Sequence, residues 1–236
     1  MKKLLLILLA APLLAFANVV ELHLDKAPDH ARDYPALQRG AKIFIAYCLN
    51  CHSASYMRYN RLRDIGLTEA QIKDGLMYAA DKVGEPMTIA MKPAESKVWF
   101  GKAPPDLTVI ARARTTEFGS GADWLYTYLR SFYRDDQRPT GWNNVVFPNV
   151  GMPHVLWEMQ GDQVMGEDHK LNLVKPGALK PAEYDAMVGD LVGYLAYMGE
   201  PVAEFRKQLG VIVLIALAVI FVFAYALKRE YWKDIH

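Results

Sequence analysis

Apolar residues recur with the period of an α-helix in several separate stretches of the chain. Leu37, Ala41, Phe44 and Ile45 lie on one stripe of a helix predicted over residues 37–47. Four further helices are predicted from residues that typically begin a helix. A capping box at Thr68 opens a helix that runs to residue 80, and a helix that starts at Pro181 runs to residue 198. Asp106 and Asp123 are the predicted N-caps of helices over residues 107–113 and 124–132. No convincing alternating run predicts a strand. Short helices joined by long loops make a poor core alone, so the pattern predicts a mainly α domain around a large filling group.

The first 17 residues have the pattern of a secretory signal peptide. Met1–Lys3 is positively charged, residues 4–14 are apolar, and Ala15–Ala17 has the small-x-small form of a cleavage site before Asn18. An uncleaved anchor is the alternative, but about 14 apolar residues are too few to cross ~30 Å of hydrocarbon. Residues 1–17 are therefore predicted to direct export across a bacterial membrane.

A second apolar segment lies close to the C-terminus. Leu209–Leu227 contains no charged residue and is long enough, about 28 Å as a helix, to cross a bilayer once. The alternative, a buried helix of a soluble core, normally keeps a polar face. We predict a periplasmic domain over residues 18–205, a transmembrane helix over 206–227 and a cytoplasmic tail over 228–236, in the inner membrane.

Composition and net charge argue against a disordered protein and against a nucleic-acid-binding protein. The chain is 52% hydrophobic and 22% charged, which excludes a disordered protein, and its net charge of +1 gives no electrostatic case for nucleic-acid binding. Residues 18–205 hold 24 acidic and 20 basic side chains, a net charge of −4. This weakly acidic balance favours a basic soluble partner. The C-terminal apolar helix predicts contact with membrane lipid.

Cys48-Leu49-Asn50-Cys51-His52 is the strongest chemical signal in the chain. Cys-x-x-Cys-His is the attachment motif of c-type haem, in which both thiols bond covalently to the haem and the histidine coordinates iron. A redox disulfide and half of a zinc site are the alternatives. A second cysteine pair and a flanking βαβ pattern, which would support them, are both absent from the sequence. The motif predicts one covalent haem c, which also supplies the missing filler of the core.

Met152 is the predicted second axial ligand of the iron. It lies in Pro148–Pro153, where glycine and proline define a loop able to present a side chain inward. His154 is the main alternative, followed by another methionine or an open position. Met57 lies too near the motif to reach the opposite face of a haem, and Met187 and Met198 fall on a helical stripe typical of a core. Met/His ligation suits electron transfer.

Two arginines are candidates for binding a haem propionate. Arg112 and Arg114 follow Asp106 on one predicted helix, and a guanidinium can hold a carboxylate by charge-assisted bonds. The alternative for each is a solvated helix face. Four aromatic residues could line the haem or pack elsewhere: Trp99, Phe100, Trp124 and Tyr126.

Several further segments make the sequence resemble the cytochrome c1 family over essentially the whole mature chain. They are Met57–Leu62 after the haem motif, Ala103–Thr108 leading into Ala111–Arg114, Gly151–Pro153, and Glu200-Pro201 with Arg206-Lys207 before the membrane helix. Many relatives of the family also carry a second cysteine pair as a disulfide. This chain lacks that pair, so the loop around Met152 has no covalent staple.

The resemblance implies a class I c-type cytochrome fold and a definite set of site residues. Cys48 and Cys51 would bind haem covalently, His52 and Met152 would be its axial ligands, and Arg114 would pair with a propionate. The family also implies that Pro104 and Pro105 pack near the haem.

The implied function is that of the cytochrome c1 subunit of ubiquinol–cytochrome c reductase, the cytochrome bc1 complex. Such a subunit takes one electron from the Rieske iron–sulfur protein and passes it to a soluble c-type cytochrome, beside cytochrome b in a dimeric complex. It breaks and makes no bonds itself.

Three other function classes share part of these features. A membrane-anchored cytochrome carrier outside a bc1 complex would have the same motif and anchor. A haem enzyme such as a peroxidase would need an open iron position. A tethered protein without haem would hold Cys48 and Cys51 as a disulfide.

Overall fold

The computed structural model describes residues 22–234, which form a mainly helical domain followed by one long C-terminal helix. The α-helices are α1 Tyr34–Ile43, α2 Glu69–Gly75, α3 Pro93–Phe100, α4 Ile110–Ala113, α5 Gly121–Arg130, α6 Trp157–Gln160, α7 Pro181–Gly199 and α8 Ala203–Trp232. A π-helical turn, Phe44–Cys48, extends α1, and a 3-10 helix spans Tyr59–Ile65. This confirms the predicted mainly α class with a single apolar C-terminal helix.

No strand was predicted from the sequence, and this prediction was wrong. Three two-stranded antiparallel sheets form from β1 Ala54–Arg58 with β2 Pro86–Met87, β3 Phe132–Arg134 with β4 Trp142–Asn144, and β5 Gly161–Met165 with β6 Leu171–Pro176. In the third, Gly161 pairs with Pro176 and Met165 with Leu171. β3 and β4 are too short to show a period of two, and most of β6 is exposed, so no buried face imposes alternation on it.

The crossing of α1 and α7 is the central packing contact of the domain. A Cβ atom on Gly40 would lie 2.1 Å from the Asp190 carbonyl oxygen and 2.8 Å from Tyr194 Cβ, so only glycine permits this approach. One turn further, the Phe44 and Tyr194 rings pack with centroids 5.6 Å apart. The haem motif begins at the end of this helix and is therefore anchored on the best-buried part of the molecule.

Two of the predicted helix starts need correction. The N-cap of α5 is Ser120, and Asp123 is the third helical residue, whose carboxylate accepts the Ser120 backbone N–H in a capping box. Near Asp106 the helix begins only at Ile110, because the Asp106 carboxylate accepts the Thr108 N–H and hydroxyl instead of capping a helix. The capping box at Thr68 is confirmed, but its helix ends at Gly75.

α8 extends away from the domain and has no buried residue. A soluble core helix of the same composition would be mostly buried, so the exposure of α8 contradicts that alternative and agrees with a membrane span. Near its start, Arg206 pairs with Glu200 at 2.5 Å and Glu204 with Arg32 at 2.7 Å. The predicted signal peptide, residues 1–17, lies outside the described residues, and the predicted limits of domain, span and tail remain predictions.

Candidate haem site

Cys48, Cys51 and His52 lie on one tight turn at the end of the α1 extension. The N–H groups of Cys51 and His52 both donate to the Cys48 carbonyl oxygen, at 3.1 and 2.9 Å. This turn folds the motif back on itself, so that two thiols and an imidazole are presented from five consecutive residues.

The backbone at Pro105 orients the His52 ring. His52 Nδ1 lies 2.8 Å from the Pro105 carbonyl oxygen, which fixes Nδ1 as the N–H donor and leaves Nε2 to bind a metal. Burial lowers the pKa of His52, although the Pro105 carbonyl opposes the shift, so the neutral ring is favoured. Pro104 is half-buried and Pro105 is exposed beside this contact.

Two hydrogen bonds fix the Pro104–Pro105 segment against the motif. The Leu107 N–H donates to the Ser53 carbonyl oxygen at 2.9 Å, and the Ser55 N–H donates to Asp106 Oδ2 at 2.7 Å. The proline pair is thus tied to the residues that follow His52, as its predicted place near the haem requires.

The geometry disfavours the two alternatives to haem attachment. Cys48 and Cys51 are free thiols, and over residues 22–234 no group of three His, Cys, Asp or Glu side chains is arranged to hold a metal ion. Burial raises the pKa of Cys48 to about 12, whereas a redox-active cysteine needs a lowered pKa. These observations favour haem attachment over a thioredoxin-like or zinc-binding pair.

Met152 is held by a tyrosine that the sequence analysis did not single out. The Tyr128 hydroxyl donates to Met152 Sδ at 3.3 Å, and the Tyr128 ring stacks on Trp124 with centroids 4.9 Å apart. Burial raises the pKa of Tyr128, so the hydroxyl stays protonated and remains a donor. Trp124 and Tyr128 are four residues apart in α5, a spacing that places them on one face.

His154 is enclosed by aromatic rings in the core. Its ring stacks on Phe132 at 4.8 Å and meets the Trp142 ring edge-on at 5.0 Å. Burial lowers its pKa to about 4, so the ring is neutral, and Nε2 has no hydrogen-bond partner among the residues described. The packing suits a core histidine better than an iron ligand.

The other candidate methionines lie in the core. Met57 and Met198 are buried, and Met187 packs half-buried against the same cluster. For Met187 and Met198 this agrees with the core position predicted from their helical spacing.

The two candidate arginines contact different partners in the structure. Arg112 forms an ion pair with Glu200 at 3.0 Å, and Glu200 lies just before α8. The Arg112 guanidinium is therefore already paired with a carboxylate. Arg114, the residue that ends α4, places its guanidinium 4.5 Å from the Trp124 ring centroid and 5.4 Å from that of Phe147. Arg114 thus lies on the aromatic group that also supports Tyr128, where a propionate could pair with it.

The four candidate aromatic residues also divide. Trp99 and Phe100 are exposed at the end of α3, whereas Trp124 and Tyr126 are buried in α5. Tyr126 packs under the Arg130 guanidinium at 4.4 Å, so of the four only Trp124 reaches the group around Met152 through Tyr128.

Comparison with known proteins agrees with this site. A profile described as the cytochrome C1 family matches residues 25–235. The chain belongs to the cytochrome c1 family. A cytochrome c1 of Allochromatium vinosum is 46% identical over 100% of both chains, and a mitochondrial cytochrome c1 of Neurospora crassa is 27% identical over 85% of this chain and 62% of its own. A protein of Nitrosomonas europaea named ammonia monooxygenase gamma subunit is 51% identical over 100% of this chain and 98% of its own.

Membership of the cytochrome c1 family carries the general function. The chain is an electron-transfer subunit of a cytochrome bc1 complex, is membrane-anchored, and carries one covalently bound haem c. Two free thiols, an imidazole with Nε2 available and a methionine held by a hydroxyl are a donor set that fits this group.

Proposed function

We propose that haem c is joined to Cys48 and Cys51, with His52 and Met152 as its axial ligands. The bound haem supplies a one-electron iron couple. The observation that carries this proposal is the 2.8 Å contact between His52 Nδ1 and the Pro105 carbonyl, because it orients an imidazole within a Cys-x-x-Cys-His turn for metal binding through Nε2.

The protein side chains then do three things. The Pro105 carbonyl holds the His52 ring, and Pro104 and Pro105 pack near the haem. Arg114 pairs with a propionate through charge-assisted bonds. Two retained axial side chains leave no open position for a substrate, which suits electron transfer and not peroxidase chemistry.

We further propose the direction and setting of electron transfer. The domain, residues 18–205, lies on the periplasmic side, takes electrons from the Rieske protein and passes them to a soluble c-type cytochrome. Residues 206–227 cross the inner membrane beside cytochrome b in a dimeric complex, and 228–236 remain in the cytoplasm. The net charge of −4 over residues 18–205 supports a basic acceptor.

Redox titration of Met152→Leu tests the ligand assignment. We expect haem to stay covalently attached, the midpoint potential to fall sharply and the reduced protein to bind carbon monoxide. Met187→Leu is the matched control, because Met187 is also half-buried against the core but lies on the helical stripe of α7, whereas the Tyr128 hydroxyl bonds to Met152 Sδ. If the midpoint potential of the Met152 variant is unchanged, another residue must be the second axial ligand. The same titration of His154→Gln would then show whether His154 holds the iron.

Purification of the native complex tests the assembly. We expect b-type haem and a [2Fe–2S] protein to copurify with this chain. Isolation of the chain alone would favour an independent carrier, and copurification with monooxygenase subunits would favour the assembly named for the N. europaea relative.

A further inference from the structure

The loop that leads to Met152 is fixed at both of its ends by two buried asparagines. Asn143 and Asn144 end β4, and the loop runs from Val145 to Gly151. The only two cysteines of the chain are those of the haem motif, so no disulfide can staple this loop. We propose that the Asn143–Asn144 pair is a positioning unit that keeps Met152 on the haem iron, an inference that rests on the ligand assignment above.

Asn144 organises the beginning of the loop. Its side chain is only 1% exposed, and its Oδ1 accepts the N–H groups of Val146 and Phe147 at 2.9 and 3.0 Å. Its Nδ2 donates to the Tyr128 carbonyl oxygen at 2.7 Å. One amide therefore joins the loop to the residue whose hydroxyl reaches Met152.

Asn143 organises the end of the loop. Its Oδ1 accepts the Asn149 N–H at 2.8 Å, and its Nδ2 donates to Asp135 Oδ2 at 2.8 Å. Asn149 lies three residues before Met152 and has a positive φ of 62°, a left-handed conformation that asparagine adopts more readily than most residues. The Asn143 side chain thus fixes the turn from which Met152 projects.

These hydrogen bonds connect both asparagines to the segment around Met152. Tyr128 is bonded through its carbonyl to Asn144 and through its hydroxyl to Met152 Sδ, while Asn143 holds the backbone between them. Asn144→Ala would leave the buried Val146 N–H without this acceptor, and Asn143→Ala would take the same side-chain acceptor from the N–H groups of Asn144 and Asn149, so the loop would relax toward water to satisfy them. Because Met152 directly follows that loop, relaxation opens the iron position.

Carbon monoxide binding to the reduced full-length protein in its purified complex is the direct test. We expect Asn143→Ala and Asn144→Ala to raise the carbon monoxide-reactive fraction of haem c about tenfold or more, a change equivalent to about 1.4 kcal/mol. The sulfur-to-iron charge-transfer band of the oxidised protein should weaken in parallel. Asn172→Ala is the matched control, because Asn172 is exposed in β6 and, within residues 22–234, its side-chain amide donates only to the Lys170 carbonyl, at 3.4 Å.

A merely structural role gives a different result. Variants with a lower unfolding temperature but wild-type carbon monoxide binding and charge-transfer band would overturn the proposal, while Met152→Leu could still behave as a ligand variant. If Met152→Leu itself changes neither readout, the ligand assignment fails and this inference fails with it. Should the alanine variants not accumulate, Asn143→Ser keeps a buried polar group too short to reach Asn149. The Asn143→Ser variant should show the same rise in carbon monoxide reactivity, and wild-type reactivity of this variant would overturn the proposal.

Discussion

His52 and Met152 each have a hydrogen bond that orients the side chain, and the two bonds come from different parts of the chain. The Pro105 carbonyl is 53 positions from His52, and the Tyr128 hydroxyl is 24 positions from Met152. In the proposed site, the first bond would leave Nε2 of His52 as the nitrogen available to iron. The second would withdraw electron density from the thioether sulfur and so would stabilise reduced iron relative to oxidised iron.

Tyr128→Phe should therefore lower the midpoint potential of haem c without removing the haem. The ring can keep its stack on Trp124 at 4.9 Å, so the substitution removes only the hydrogen bond to Met152 Sδ. One neutral hydrogen bond is worth about 1 kcal/mol, which corresponds to roughly 40 mV for one electron. Redox titration measures the shift. Tyr126→Phe is the control, because Tyr126 packs under Arg130, and an equal shift in both variants would contradict the assigned role of Tyr128.

The predictability of the site differs residue by residue for a physical reason. Cys48, Cys51 and His52 were predicted because their chemistry depends on spacing within five residues. Tyr128 and Asn144 were not, because an isolated tyrosine or asparagine has no signature until the fold brings its distant partner into contact. The motif spacing alone did not separate Arg114 from Arg112; the family resemblance favoured Arg114, and the fold adds a physical reason by bringing Glu200, 88 positions away along the chain, onto Arg112.

At the scale of elements, the helices that carry the site were predictable and the short sheets were not. α7 was predicted almost to the residue, because Pro181 and Gly199 mark its ends. The pair β3–β4, which places the two asparagines, has strands of three residues. Its pairing depends on the turn between the strands and on packing against neighbouring residues, which local alternation does not record.

The capping box of α5 should make part of the stability pH-dependent. Burial alone would raise the pKa of Asp123, but hydrogen bonds from Ser120 and the Ala27 N–H outweigh burial and lower this pKa below its usual value. A lowered pKa in the folded state means that the carboxylate stabilises the fold above the unfolded pKa and loses this effect as pH falls through the folded value.

Asp123→Asn should accordingly lower the free energy of unfolding at neutral pH by about 1 kcal/mol. The difference from wild type should begin to shrink as the pH falls below the unfolded-state pKa of about 4, and it should vanish once the pH has passed the lower pKa of the folded state. Denaturant unfolding at several pH values measures this. Asp136→Asn, at an exposed position, is the control, and a pH-independent difference for the Asp123 variant would contradict the argument.

The α1–α7 crossing leads to a sharper steric prediction. Gly40→Ala places a methyl group 2.1 Å from the Asp190 carbonyl oxygen, so the helices must separate, and we expect a decrease in stability of about 3 kcal/mol or more. Gly75→Ala is the matched control, because a Cβ there meets nothing within 4 Å. Thermal unfolding of the haem-loaded proteins should show a large decrease for the first variant only. Equal stability of both would mean that the crossing is looser than described.

At the scale of the whole molecule, the haem domain and the membrane helix depend on each other very little. α8 buries no residue against the domain, and the contacts at its start are exposed ion pairs such as Arg32 with Glu204. Exposed pairs of this kind contribute about 0–1 kcal/mol each. The sequence could predict this separation, because the charge-free run of Leu209–Leu227 is recognisable without any tertiary contact.

A chain that ends at Pro201 should therefore fold into a haem-containing domain that needs no detergent. We expect its redox spectrum and its lack of reaction with carbon monoxide to match those of the full chain, with little change in unfolding temperature. The truncation retains α7 and hence the crossing with Gly40, and it removes three members, Glu204, Arg206 and Lys207, of the network of ion pairs around Glu200 and Arg32. Extraction without detergent, followed by absorption spectroscopy and thermal unfolding, measures these properties. Aggregation or loss of haem would show that α8, although it has no buried residue, supports the domain through contacts that form only in the membrane complex.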